Sequence, residues 1–143
     1  MEPSGSALAL ARRFESLRLT AYQDVGGKWT IGYGHTQGVV EGQVWTTSQA
    51  EAGLARDMVL AGEALSRHLE EDVLVTQGMF DALSDFIFNE GEGRLAASTL
   101  LRLVNQGDKE GAAGQFGRWI YAGKVVQPGL VLRRLAEKEL FES

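Results

Sequence analysis

One stretch, Leu19 to Gly34, departs from an otherwise helical pattern and decides what this chain can fold into. Leu19-Thr20-Ala21-Tyr22 reads as a strand, Gln23 to Lys28 as a glycine-bearing turn, and Trp29 to Gly34 as a second strand. Glycines at 26, 27, 32 and 34 make the hairpin tight and permissive of unusual backbone angles. Ahead of it, Leu8, Ala9, Ala11 and Phe14 form a helical stripe from Ser6 to about Glu15, with Ser4 and Ser6 as candidate caps.

After it the pattern is helical to the end. Ser48-Gln49-Ala50-Glu51 fits a capping box opening a helix that runs towards His68, with Leu54, Met58, Ala61 and Leu65 on one face. Thr76 caps a second long helix through Ile87, apolar nearly all round and so suited to the middle of a core. Asn89 to Gly93 breaks that helix. A short helix opens at Ser98 or Thr99, another is capped by Asp108 and ends near Trp119, and the last runs from Leu130 to Phe141 behind Pro128. One early hairpin with five or six helices after it is an α+β plan: a small β lobe and a larger helical lobe.

Composition narrows the chemistry. At 143 residues, one domain is expected, large enough to bury a core without a metal or disulfide staple. With no cysteine there is neither a disulfide scaffold nor a thiol nucleophile. Lys and Arg number 14 against 19 Asp and Glu, a net charge of −5 that argues against a nucleic-acid partner. No apolar stretch near the start is long enough for a membrane span or signal-peptide core, so neither stable membrane insertion nor export is expected. Zinc spacings, nucleophile elbows and phosphate loops are missing, and His35 and His68 are the only histidines.

What remains is carboxylates, and two stand out by position. Glu15 closes the first helix where the pattern turns extended, and Asp24 lies nine residues on, at the hairpin tip. Glu15 meets the negative helix end and apolar neighbours, both of which favour a protonated carboxyl, whereas Asp24 sits in a polar turn that suits an anion. One proton donor and one anion across a cleft is the arrangement used in glycoside cleavage. By themselves, a helix-terminal Glu and a turn Asp more often are just two solvated residues.

The segment from Phe14 through Asp24, continued by Gly27-Lys28-Trp29-Thr30-Ile31-Gly32-Tyr33-Gly34-His35-Thr36, resembles the phage-type lysozymes, or endolysins, of glycoside hydrolase family 24. That family's signature is Glu, eight residues, Asp, five residues, Thr, and Glu15, Asp24 and Thr30 stand at those spacings. Phe86 to Gly91, Ser98 to Leu101, Leu103 to Asp108, Phe116 to Trp119, and Gly129-Leu130 with Arg133, Arg134 and Glu137 extend the resemblance over nearly the whole chain. Ser16 departs from it, since Gly commonly follows the catalytic Glu.

The resemblance implies a lysozyme-like domain over 1–143. The β lobe spans about 17–47, the helical lobe about 48–143 plus an N-terminal helix of about 5–15, and the active-site cleft lies between them. It implies hydrolysis of the β-1,4 bond between N-acetylmuramic acid and N-acetylglucosamine in bacterial peptidoglycan, causing host cell lysis. In that reading Glu15 is the general acid, Asp24 stabilises the developing positive charge or orients water, and Thr30 holds the water. No metal or cofactor is required. Inversion at the anomeric carbon goes with carboxyls roughly 6.5–9.5 Å apart.

His35 is assigned a supporting, acid-pairing role. Phe88 and Asn89 are candidate sugar contacts, against a core phenyl and a helix C-cap. Tyr121 and Gln127 either line the cleft or belong to a surface loop, and Arg133 and Arg134 either reach the cleft or face solvent. Trp29, Trp45 and Trp119 are sugar platforms or core anchors. The enzyme is expected to be monomeric and to stay in the host cytoplasm until a separate holin-type protein opens the membrane, after which it acts on the wall in the periplasm. Two competing functions share the fold: a catalytically silent peptidoglycan-binding module, and a lytic transglycosylase.

Overall fold

A computed structural model describes all 143 residues. The first helix, α1 (Gly5–Phe14), starts at Ser4, whose hydroxyl accepts from the Ser6 amide, and it buries Ala7, Leu10 and Ala11. The Ser4 amide and hydroxyl both donate to Asp81, tying the start of α1 to the middle of the molecule. At Glu15 the backbone turns extended, and the Glu15 amide closes the helix on the Ala11 carbonyl.

Strands β1 (Arg18–Gln23) and β2 (Trp29–Gly32) pair antiparallel, Tyr22 opposite Thr30, with a bulge between Arg18 and Tyr22. Backbone bonds from Ala21 to Gln43 and from Trp45 to Leu19 lay residues 43–45 along the other edge of β1. The β lobe is therefore wider than the hairpin alone.

Helix α2 (Thr47–His68) follows, with Ala50, Leu54, Met58, Ala61 and Leu65 buried along one face. Its capping box is formed by Thr46 and Gln49, not by Ser48 and Glu51 as the sequence suggests. Both pairs fit the motif, and the observed helix buries Ala50 and Leu54.

Helix α3 (Gln77–Glu90) opens at Thr76 as expected, and every residue from Met79 to Ile87 is buried. It is the spine of the molecule, packed against α1, α2 and the C-terminal helix. It stops at Gly91, whose φ of +95° suits glycine and no residue with a Cβ.

Beyond Gly91 the structure adds elements to the sequence reading. Helix α4 (Glu92–Ala96) occupies part of the expected break, and Asn89 lies within the last turn of α3, so Gly91 is the C-cap. Helix α5 (Thr99–Asn105) begins at Ser98, and α6 (Lys109–Ala113), capped by Asp108, ends earlier than expected. A separate 3₁₀ turn at 116–118 then carries Phe116 inward. Strands β3 (Tyr121–Ala122) and β4 (Val125–Val126) form a second small hairpin where the sequence suggests an irregular loop. Helix α7 (Pro128–Glu142) closes the chain, Pro128 in its first turn.

The aromatic core lies where α3, the 3₁₀ turn and α7 meet. Trp119 packs edge-on to Phe86 at 5.2 Å, and Phe116 stands 5.4 Å from Phe141. Truncating a fully buried Phe in such a cluster costs about 3–5 kcal/mol. Trp119 therefore anchors the core, and Trp45 packs on it from the β lobe.

Candidate active site

The site is built where α1 ends. Because the chain turns extended at Glu15, its carboxyl projects from the helix end towards the junction of the two lobes, where it remains 23% exposed. Two things fix it there. Arg133, reaching over from α7, donates Nη1 to Glu15 Oε2. On another side, Gly34 leaves no room to spare: a Cβ on it would stand 2.6 Å from Glu15 Oε1. Gly34 also has φ of +77°, so two independent constraints require glycine here.

Arg133 is only 2% exposed, so it does not face solvent; of the two expected placements it takes the one that reaches Glu15. Its Nε and Nη2 form a two-pronged bond to Asp85 on α3, at 2.9 and 2.8 Å. Its guanidinium carbon lies 5.8 Å from the Phe14 ring centre and 5.9 Å from that of Phe88. Burial opposes the charge of Arg133, but hydrogen bonds and attraction from Asp85 and then Glu15 outweigh it and keep the guanidinium firmly protonated. A cation thus stands beside Glu15, in addition to the apolar neighbours that the sequence suggests.

Asp24 and Thr30 are linked through the backbone of one residue, Lys28. Asp24 Oδ1 accepts from the amides of Gly26 and Lys28, at 2.9 and 2.8 Å, which folds the hairpin turn around an exposed carboxylate. Thr30 Oγ1 donates to the Lys28 carbonyl at 3.0 Å and is 4% exposed. With its proton so committed, the hydroxyl still offers lone pairs.

Glycine 34 is also the rim of a groove of about 410 Å³. The β-lobe exit, Gly34 to Gln37, forms one wall, α2 the floor with Asp57 and Ala64, and Phe88 with Glu92 the opposite wall. His35 holds that exit in place: Nδ1 is 2.7 Å from Asp57 and Nε2 is 2.9 Å from the Gln37 carbonyl, with Trp45 stacked 5.1 Å away.

The sequence model of the family described as "Phage lysozyme" matches residues 12–137. The chain belongs to that family. Over its full length it is 42% identical to the endolysin of Acyrthosiphon pisum secondary endosymbiont phage 1, covering 99% of that protein. Among solved structures it superposes on the muramidase domain of SpmX from Asticaccaulis excentricus with a TM-score of 0.91 at 36% identity, covering 99% of this chain and 98% of that one. It superposes on the endolysin from Escherichia coli O157:H7 phage FAHEc1 with a TM-score of 0.87 at 34% identity, covering 99% and 93%. A phage lysozyme of this kind is a glycoside hydrolase, an endolysin whose substrate is peptidoglycan.

The remaining candidate positions in this phage lysozyme divide by location. Phe88 is half-buried and faces both the groove and Arg133. Asn89 directs Oδ1 to Arg134 Nη2 at 2.8 Å, so that oxygen is occupied within the protein. Tyr121 and Gln127 are exposed on and beside the β3–β4 hairpin, and neither lines the groove next to Glu15. Sequence reasoning left Asp85 and Glu137 out of the site and Arg133 and Arg134 undecided. The available signal was a carboxylate in the middle of the apolar α3 run, facing an Arg-Arg pair with a Glu one turn later on α7.

Proposed function

We propose that this phage lysozyme hydrolyses the β-1,4 bond between N-acetylmuramic acid and N-acetylglucosamine, with Glu15 as general acid. The observation that carries this reading is the fixing of the Glu15 carboxyl between Arg133 and Gly34, the glycine that lines the neighbouring groove. Glu15 protonates the leaving oxygen as the glycosidic bond breaks. Asp24 stabilises the developing oxocarbenium charge, and the Thr30 lone pairs hold the attacking water on the opposite face, the two being set relative to each other by Lys28. The charge of Arg133 does not fall on Glu15 alone, because Asp85 takes two of its hydrogen bonds.

Purified sacculi digested by the wild type should release fragments with a new reducing end, and Glu15→Gln should release none. Anhydro-sugar ends would indicate transglycosylation, and binding without any released product a silent module; either result overturns the hydrolase mechanism. The Tm of Glu15→Gln should stay within a few degrees of wild type, since Arg133 retains Asp85.

Acting as a monomer and without a cofactor, the enzyme reaches the wall only once a separate holin-type protein has opened the membrane. No helix of the structure is long and apolar enough to cross a membrane. Lysis should follow addition to permeabilised cells and not expression alone in cells with an intact membrane.

A further inference from the structure

The turn that abuts the acid has a single side chain to anchor it. Ile31 and His35 exchange two backbone hydrogen bonds of 2.9 Å, which pinch off residues 32–34 into a tight loop. Gly32 and Gly34 hold φ of +68° and +77° and have no side chain, so Tyr33 is the one residue of the three that can reach another element through its own atoms. Its ring is buried in the core, and its hydroxyl donates to Glu51 Oε1 on α2 at 3.0 Å. Arg12, in the last turn of α1 and three residues ahead of Glu15, meets the same carboxylate. It donates Nε to Oε1 at 3.1 Å and Nη2 to Oε2 at 2.9 Å. The capping box of α2 is completed by Thr46 and Gln49, which leaves Glu51 to these two partners.

We propose that Glu51 is a positioning residue for Glu15: by holding Arg12 and Tyr33 on one carboxylate, it sets the distance between the helix that carries the acid and the turn that abuts it. The inference rests on Glu15 being the acid, as proposed above. Arg12 lies on the acid's own helix, so any shift of α1 moves Arg12 and Glu15 together. Tyr33 precedes Gly34, whose Cβ position stands 2.6 Å from Glu15 Oε1, so any shift of the turn changes the room left for that oxygen. The guanidinium forks onto both oxygens of Glu51, which fixes direction as well as distance. Hydrogen bonds from Arg12 and then Tyr33 lower the proton affinity of Glu51 and keep it an acceptor for both.

Stability is not what this link supplies. The Arg12 and Glu51 side chains are 41% and 39% exposed, and an ion pair so open to solvent adds little to folding. Removing it should leave the fold standing, whereas slack around a catalytic acid slows turnover. A link of this kind fails when either end is cut, so cutting both ends should do no further harm.

The test is a double-mutant cycle in turnover of soluble peptidoglycan fragments, with Tyr33→Phe, Arg12→Met and the two combined, beside Glu51→Ala and Glu15→Gln. Tyr33→Phe keeps the buried ring and loses only the hydroxyl, and Glu51→Ala leaves both partners in place and removes what joins them. Each of these three single variants should melt within a few degrees of wild type. Each should lower kcat about five- to tenfold with KM changed less than about twofold, as expected for a misplaced acid in an intact groove. The combined variant should stay within about twofold of the slower single one, where independent losses would multiply to roughly 25- to 100-fold. Wild-type kcat in Tyr33→Phe or in Glu51→Ala overturns the inference, and so do single losses that multiply in the pair. If Arg12→Met does not fold, Glu51→Ala takes its place in the cycle under the same expectation. Activity in Glu15→Gln sinks the acid assignment itself, whereas an inactive Glu15→Gln beside a normal Glu51→Ala sinks only the positioning role.

Discussion

Arg133 and Glu15, 118 positions apart in the chain, are joined by a hydrogen bond from guanidinium Nη1 to carboxylate Oε2. One end belongs to the last helix and the other to the residue that closes the first. Arg133→Lys has a single point charge and cannot fork onto Asp85 while touching Glu15. It should remain folded and lose most activity. Arg133→Met leaves Asp85 buried without its partner and should lose about 3–5 kcal/mol as well. Denaturant titration and turnover on the same preparations check both, and an active Arg133→Lys would show that the fork is dispensable.

Gly34→Ala tests the other restraint on Glu15. A Cβ there meets Oε1, and the residue must also hold a positive φ. The backbone strain alone is about 1–2 kcal/mol. Displacing the acid by an ångström should lower turnover on the order of 100-fold. Near-normal turnover in this variant would mean that the carboxyl works from some other position.

Thr30→Ala removes the hydroxyl from β2 together with its bond to the Lys28 carbonyl. Loss of that one hydrogen bond should cost about 1 kcal/mol. The expected loss of activity is far larger, and Thr30→Ser should recover a substantial part of it. If Thr30→Ala lyses permeabilised cells at the wild-type rate, Thr30 has no place in the mechanism.

Glu137 makes stability depend on pH. Its folded-state affinity for a proton is raised, mainly by burial. The corresponding stability is therefore fully present below the titration range of a free Glu, about pH 4.3, and is lost as pH rises through the higher folded value. Glu137→Gln never ionises and should escape this loss. The Tm of the variant relative to wild type should climb as pH rises above the titration range of a free Glu; a difference that stays flat with pH would contradict a buried protonated Glu137.

The fold was legible in the sequence wherever a pattern is local. Thr76 and Asp108 announce their helices because a cap needs only the next three residues, and the hairpin announces itself through its glycines. The start of α2 slipped by two positions because Thr46-x-x-Gln49 and Ser48-x-x-Glu51 both satisfy the same motif, and the four-residue pattern does not choose between them. The β3–β4 hairpin escaped notice because two residues per strand leave no alternation to detect.

The same boundary runs through the site. Glu15, Asp24 and Thr30 lie within sixteen residues and share a spacing that can be recognised. Arg133 cannot be placed from its own surroundings, since an Arg-Arg pair on a helix is ordinarily solvated, and its partners are on other helices. Asp81 and Asp85 were the clue: carboxylates inside a run that is apolar all round must find donors, and Ser4 and Arg133 supply them. Asn89 shows the converse, a polar residue suited to sugar whose oxygen is already held by Arg134.

The dependence of Glu15 on α7 has a consequence for synthesis. A ribosome delivers residue 15 long before residue 133, so a nascent chain or one truncated ahead of α7 carries the acid without the group that aims it. If Glu15 is the acid proposed above, such a fragment should cleave no peptidoglycan. On that mechanism, lytic competence should arrive only once α7 has been made and packed.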